Sequence, residues 1–341
     1  MPLYALNNIR HSYNGRPVLT IDDWCAAADS VTGIVGPNGS GKSTLLALLG
    51  FVETPTRGTI RFKGRLAEPF ADSVRGKVAM LPQESFLLKR TVYSNVAYGL
   101  KVASDKSKNE RSRVHAALAM VGLDPEGFGR RPWFALSGGE ARRVALAARL
   151  ALQPEVLLLD EPTTSVDAAS AQMIKAAALH ARQQWGTTLI VASHDTEWLA
   201  DISDNITHLF RGRILGSGRQ TLIFGPWQAT GKGTVKKALT EDQWVEAHGA
   251  PSDLQAAVAA IGAEQIDLYG WPEQIPANRH RLKGLLLRLN YEQSTRRTSA
   301  AVLVGGTVFN AYLPESDEDA GRFSPGGDVW VGYDPGKVMW Y

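Results

Sequence analysis

The sequence has a single cysteine, Cys25, among its 341 residues. No disulfide can form within one chain, which fits a reducing compartment, and Cys25 is read as one more small core residue. Long hydrophobic runs are missing too. The most apolar stretches, such as VLLLD and LLALLGFV, fall far short of the roughly 20 residues that span a bilayer. Any action on a membrane is therefore expected to run through other subunits. The opening MPLYALNNIRHSY lacks a charged start followed by an apolar run, so no signal peptide is expected. Charge of one sign is scarce: 37 Lys and Arg against 34 Asp and Glu leave +3, too little to argue for nucleic acid or an anionic surface as partner. No repeat of solenoid length and no low-complexity tract occurs. What remains is an ordinary core-forming composition, 44% hydrophobic and 21% charged, in a length that suggests two domains.

What is there changes texture along the chain. LYALNNIRHSY and RPVLTIDDW read as strands around an Asn14-Gly15 turn. SVTGIVG is a strand that ends in glycine and leads into the helical KSTLLALLG; GTIRFKG and KVAMLPQ are further strands. Helical spacing follows, with Val114, Leu118 and Val121 on one face of ERSRVHAALAMVGL, and ARRVALAARLAL makes a second helix. EVLLLD and TTLIVASHD are continuous apolar runs of the kind a buried parallel strand shows, so this half is expected to be α/β. After Gly212 come short alternating strands, among them QIDLYG, GLLLRLNY, SAAVLVGG, TVFNAYL and DVWVGY. They predict a small antiparallel barrel or sandwich. GPWQATGKGTVKKALTEDQ between the two textures reads as a linker.

Gly36 to Ser43, GPNGSGKS, fits G-x-x-x-x-G-K-[ST] after a strand and before a helix. In such a loop Gly36, Pro37, Asn38, Gly39, Ser40 and Gly41 form a turn whose backbone N–H groups, which every one of them but the proline has, curl around phosphate oxygens. Lys42 adds charge for the β- and γ-phosphates, the Ser43 hydroxyl suits Mg²⁺, and the helix that continues through Thr44 turns its N-terminus to the same anion. TGKGT at Thr230 to Thr234 fails the pattern: Gly225 to Gly231 is one residue too long, and Gly233 stands where a hydroxyl is needed. Asp160 and Glu161 close a buried strand, where ligand crevices of parallel sheets lie. Asp160 suits Mg²⁺ and Glu161 suits polarising a water for phosphoryl transfer. His194 repeats that placement one strand later, and Gln83 ends another strand within reach of metal and water. A second anion-binding turn, LSGGEARRVALA at Leu136 to Ala147, poses a question, because one chain with one phosphate loop has no evident use for two.

Taken in order, Tyr13 ahead of the loop, the loop itself, the PQ glutamine Gln83, LSGGE, LLLDEP, SVD and SHD resemble the ATP-binding cassette (ABC) ATPases over about Leu3 to Gly218. Glu140 replaces the usual glutamine of that family, and TTSVD replaces the commoner TSALD while keeping Asp167. The resemblance implies a P-loop NTPase domain of ABC type with a mixed sheet and a helical subdomain. It also implies that Tyr13 stacks on the base and that ATP is sandwiched in a head-to-tail dimer. Ser137, Gly138, Gly139 and Glu140 of one protomer would then meet the γ-phosphate on the other, with Asp167 at the same interface. With one loop and one LSGG per chain, a homodimer is the simplest assembly.

The stretch ESFLLKRTVYSNVAYGL resembles the part of importer ATPases that docks on a membrane subunit, with Phe86, Leu87, Leu88, Val92 and Val96 as groove candidates. Residues from about Ala263 resemble the small regulatory TOBE barrel. The domain expectation is thus 1–220 for the ATPase, 221–262 for linker and connecting strands, and 263–341 for an OB/TOBE-like β domain. The resemblance further implies two transmembrane permease subunits, an extracytoplasmic solute-binding protein acting indirectly, no nucleic acid, and a peripheral position on the cytoplasmic face of the inner membrane. Its wording is most similar to tungstate or molybdate importers. Sugar, polyamine and iron importers stay open, as do a soluble ABC protein of translation or DNA repair and a non-hydrolysing regulator. Arg296, Arg297, Thr298 and Ser299 offer donors to an oxyanion, although a solvated hairpin edge explains them as well.

Overall fold

The computed structural model describes residues 2–69, 71–103, 109–194, 198–199, 202–231, 233–292, 297–313 and 323–341. Asp195 of the SHD motif and Arg296 lie outside them. The chain divides into two units, Met1–Ile214 and Leu215–Tyr341.

In the first unit β1 (Tyr4–Tyr13) and β2 (Arg16–Ala26) form the hairpin, and β3 (Val31–Val35) leads into α1 (Lys42–Leu49). Asn14 and Gly15 both take positive φ, as a two-residue hairpin turn requires. β4 (Arg57–Phe62), β5 (Arg65–Leu66) and β6 (Val78–Leu81) precede a helical run of α2 (Val92–Val102), α3 (Glu110–Met120), α4 (Pro125–Gly129) and α5 (Gly138–Leu150). β7 (Val156–Asp160), α6 (Ala168–Trp185), β8 (Thr188–Ala192), β9 (Asn205–Phe210) and β10 (Arg213–Ser217) follow, β10 straddling the boundary. One sheet is antiparallel, in the order β2-β1-β4-β5; the other runs β10-β9-β3-β8-β7-β6.

The second sheet explains the continuous apolar runs. Every residue of β3, β7 and β8 is buried, and successive side chains enter different cores. Leu157, Leu159, Leu189 and Val191 pack with α2, α3, α5 and α6. Val156, Leu158, Ile190 and Ala192 pack with α1 and the antiparallel sheet. Side chains alternate across a strand, so a strand covered on both faces has no polar position to spare. β6, β7, β8 and β3 are mutually parallel, and Ile34, Ala192 and Asp160 lie in one register. Their carboxyl ends therefore share one edge.

Alternation also corrects the reading of Cys25. Trp24 and Ala26 point inward from β2, so Cys25 points out and is exposed. Val92 and Val96 are likewise not available to a groove, because both are fully buried in the helical core.

The second unit holds β11 (Gln220–Phe224), β12 (Gln228–Gly231), β13 (Thr234–Ala238), β14 (Trp244–His248), β15 (Val258–Gly262), β16 (Ile266–Tyr269), β17 (His280–Glu292), β18 (Arg297–Val304), β19 (Thr307–Tyr312), β20 (Asp328–Tyr333) and β21 (Met339–Trp340). They form antiparallel sheets in the orders β11-β15-β21, β12-β13-β14 and β16-β20-β17-β18-β19. The stretch read as a linker is folded: β12 pairs with β13 and β13 with β14, and Trp227, Val235 and Val245 are buried in the same core as Phe309 and Tyr333. The Tyr333 hydroxyl donates to Glu246 O and accepts from Glu246 N, tying β14 to β20. Residues 221–248 thus belong to the second core. Between Gly225 and Lys237 the buried Trp227 and Val235 lie far apart among Gly, Lys and Thr, which hides the strand pattern.

Candidate active site

The shared edge of β3, β6, β7 and β8 opens into a cleft of about 360 Å³. Asn38, Gly39, Gly41, Lys42, Ser43 and Thr44 line one side, and Gln83, Asp160, Glu161, Thr164 and His194 the other. Gly41 is the N-cap of α1, in the left-handed region at φ 104°, and no side chain caps the helix. A Cβ on Gly41 would come within 2.7 Å of Leu19 Cδ2. Glycine therefore lets the loop close over β2 and leaves the first N–H groups of α1 free for an anion. Lys42 is buried, and its Nζ donates to Gly36 O at 2.9 Å and Pro37 O at 3.3 Å, 4.0 Å from Glu161 Oε1. Ser40 is buried beneath the loop. Tyr13 is 42% exposed, and its hydroxyl is within reach of Thr44.

Asp160 is only 2% exposed, and its Oδ1 has no hydrogen-bond partner among the described residues. Burial raises its carboxyl pKa above the ordinary aspartate value; a hydrogen bond from Ser43 and the charge of Lys42 oppose the rise, and Glu161 adds to it. A buried carboxylate beside a hydroxyl, with one oxygen unmatched, fits a divalent cation held by oxygen ligands. Glu161 follows in the left-handed region at φ 46°, a conformation that costs a non-glycine residue about 1 kcal/mol. Its Oε2 accepts from Thr164 Oγ1 at 3.2 Å and lies 2.7 Å from His194 Nδ1. His194 is thus held on the acid rather than standing alone at its strand end.

LSGGE lies elsewhere. Ser137, Gly138, Gly139, Glu140 and Asp167 contribute nothing to the lining of this cleft. Ser137 caps α5: its Oγ accepts from Glu140 N at 3.2 Å, and Glu140 Oε2 accepts from Ser137 N at 2.7 Å, a reciprocal capping box. Glu140 thus fills the third helical place of the capping box, where glutamate and glutamine both serve. A Cβ on Gly139 would sit 2.5 Å from Ser170 Oγ and 2.7 Å from Asp167 Oδ2. Asp167 caps α6, accepting from Ser170 N and Ser170 Oγ at 2.8 Å each. The two capped helix starts pack together, and a side chain at Gly139 would have to displace Ser170 and Asp167 from their capping contact.

The ABC transporter family profile matches residues 19–164. The tungstate uptake system ATP-binding protein TupC of Peptoclostridium acidaminophilum is 33% identical over 210 residues, 62% of this chain and 95% of that protein. The sulfate/thiosulfate import ATP-binding protein CysA of Mycobacterium tuberculosis is 35% identical over 316 residues, 91% of this chain and 86% of that protein. The chain belongs to the ABC transporter family. It is an ATP-binding, ATP-hydrolysing cassette. Among solved structures, cbiO1 of Clostridium perfringens, part of the transporter complex cbiONQ, aligns with TM-score 0.55 at 28% identity over 64% of this chain and 88% of its own. The dimeric cassette MJ0796 aligns with TM-score 0.58 at 26% identity over 63% of this chain and 98% of its own.

The sequence reading missed one residue of this cassette. Arg142, one turn into α5, is 5% exposed and donates to Pro82 O, Gln83 O, Ser85 Oγ, Asp160 O, Glu161 O and Pro162 O. One guanidinium thus fixes the backbone of the Gln83 turn against that of the Asp160–Glu161 turn. The signal was present in the helical phase: Arg142 and Arg149 share a face with the buried Ala145, where an apolar residue is expected.

Proposed function

We propose that the cassette hydrolyses ATP in the cleft between α1 and β7 and thereby energises an importer. The convergence of Lys42, Ser43, Asp160, Glu161 and His194 on one cleft carries this reading. In it, the Gly36–Gly41 loop and the α1 N-terminus bind the phosphates, and Lys42 meets the β- and γ-phosphates. Ser43, Gln83 and Asp160 would hold Mg²⁺, which supplies charge neutralisation to the phosphate oxygens when bound. Glu161 orients and polarises the attacking water. His194, paired with Glu161, holds that carboxylate in place and contacts the γ-phosphate. Tyr13 meets the base. Replacing Glu161 by Gln keeps the shape and removes the base, so E161Q should bind ATP and fail to turn it over, a loss of 10²-fold or more on the order of other catalytic-base removals.

The signature turn completes the site in trans. Ser137, Gly138 and Gly139 stand outside their own chain's cleft, so they serve a second copy's nucleotide in a head-to-tail homodimer. ATP-loaded E161Q should accordingly elute as a dimer, and a monomer at saturating ATP would refute the sandwich. The partner in the membrane is a pair of permease subunits. Phe86 is 77% and Phe134 73% exposed, with Leu88 and Trp133 also exposed, an apolar set that suits a docking helix from the permease.

The cargo we propose is a tetrahedral oxyanion, tungstate or molybdate first. Support comes from likeness to a tungstate uptake protein and to sulfate/thiosulfate import proteins, whose cargoes share that geometry and charge. The second unit is proposed as a TOBE-like regulatory domain. Reconstitution with the permease and its binding protein tests the cargo: oxyanion-loaded binding protein should stimulate ATP hydrolysis, and stimulation by sugar-loaded protein alone would sink the oxyanion reading.

A further inference from the structure

Two side chains outside the phosphate cleft, Glu53 and His11, gather around Tyr13 and have no part in the reaction proposed for that cleft. The Tyr13 hydroxyl donates to Glu53 Oε2 at 2.6 Å. His11 Nε2 lies 3.0 Å from the same oxygen, close but without hydrogen-bond alignment. The His11 ring meets Tyr13 edge-on, centroids 4.8 Å apart at 86°. His11 is 6% exposed, so the ring forms a fixed wall. Burial raises the Tyr13 phenol pKa above its ordinary value, the Glu53 carboxylate adds to the rise, and a hydrogen bond with Thr44 opposes it.

Glu53 is not part of β1. It follows α1, and the backbone N–H groups of Val52 and Glu53 donate to Ala47 O, inside that helix. The backbone of β1 is fastened to the same loop, because Ser12 N donates to Thr56 Oγ1 at 3.1 Å. The aromatic ring is thereby referenced to the helix whose first turn carries Lys42 and Ser43.

We propose that Glu53 is a positioning residue for nucleotide binding: its carboxylate, backed by His11, fixes the Tyr13 ring relative to α1, so that the base platform and the phosphate loop are held at a set separation. The proposal rests on the reading of Tyr13 as the residue that meets the base. An exposed tyrosine at a strand end has several rotamers, and stacking on a base must freeze one of them. The tether removes that freedom before ATP arrives, so its effect falls on affinity and not on the chemical step.

The full-length chain, with variants Y13A, Y13F, E53A and E53Q, tests this with two probes, MgATP and inorganic tripolyphosphate. The dissociation constant of each is measured by calorimetry, and KM and kcat for ATP by phosphate release. Y13F keeps the ring and loses the hydroxyl; E53A loses the acceptor. Each should weaken ATP about three- to tenfold, the cost of ordering one side chain. E53A should leave kcat and tripolyphosphate affinity unchanged, and Y13F/E53A together should bind ATP no worse than either alone. E53Q, which retains an acceptor oxygen, should bind ATP better than E53A. If Y13A weakens ATP while Y13F and E53A bind it as the wild type does, the tether is overturned and the base reading stands. If Y13A itself binds ATP as the wild type does, the base reading fails and the proposal with it. Equal loss of tripolyphosphate in E53A would make Glu53 a support of α1 alone and also overturn the proposal.

Discussion

Asp160 ends β7 with a buried carboxylate whose Oδ1 lacks a partner, and its pKa is raised mainly by burial. A raised carboxyl pKa means that the folded chain binds the proton more tightly than the unfolded one. Asp160 therefore favours folding at acid pH, and that contribution is lost as pH rises through the folded pKa. At neutral pH the ionised group works against the fold. D160N should consequently raise the denaturant midpoint of the nucleotide-free chain at neutral pH, less so in acid, while Mg²⁺-dependent ATP hydrolysis falls sharply. Equal midpoints across pH would show that the carboxylate is not strained by burial. Arg142 sets the opposite case. Removing it leaves the carbonyls of Pro82, Asp160 and Glu161 without their donor, so R142A should cost about 3 kcal/mol or more. R142K should recover little, since an ammonium cannot reproduce a planar fork. Chemical denaturation with parallel ATPase assays separates loss of fold from loss of rate.

At the scale of the element, α5 combines two tasks at one end. Its capping box uses Ser137 and Glu140, and the same serine is proposed to serve the partner's γ-phosphate. E140Q preserves the box and should leave stability within about 0.5 kcal/mol of the wild type. S137A should cost about 1 kcal/mol in the isolated chain, measured by denaturation without nucleotide. It should also weaken ATP-dependent dimerisation, read by light scattering in an E161Q background. A dimer unaffected by S137A would assign the serine to capping alone. Local pattern made α5, β7 and β8 readable, because each is long or continuous enough for its period to be counted. It did not make β12 and β13 readable, since strand pairing there is decided by Trp227 and Val235 reaching a distant core.

At the scale of the whole molecule, three hydrophobic cores divide the described residues, two in the first unit and one in the second. The solved cassettes align with little more than three-fifths of the chain, whereas the sulfate/thiosulfate relative spans nearly all of it. Ligand linkage predicts that ATP at a hundred times its dissociation constant stabilises the first unit by about 2.7 kcal/mol. Amide exchange in β7 and β8 of E161Q should slow by the corresponding hundredfold under conditions where exchange tracks global opening. No change in those strands would place nucleotide outside the cleft.

By itself the sequence determined the chemistry available: one phosphate loop, one acidic strand end, one signature turn, and buried strands marked by unbroken apolar runs. These are local properties, set by residue type and spacing along a few turns of chain. Tertiary structure alone decided which of them meet. Parallel strands in register brought Gln83, Asp160, Glu161 and His194 to the loop at one edge, and left Ser137 outside it. It placed Arg142 on six acceptors, turned Cys25 outward, and joined Tyr13 to Glu53 across 40 residues. Those outcomes depend on contacts between segments far apart in the chain, and no local period encodes them.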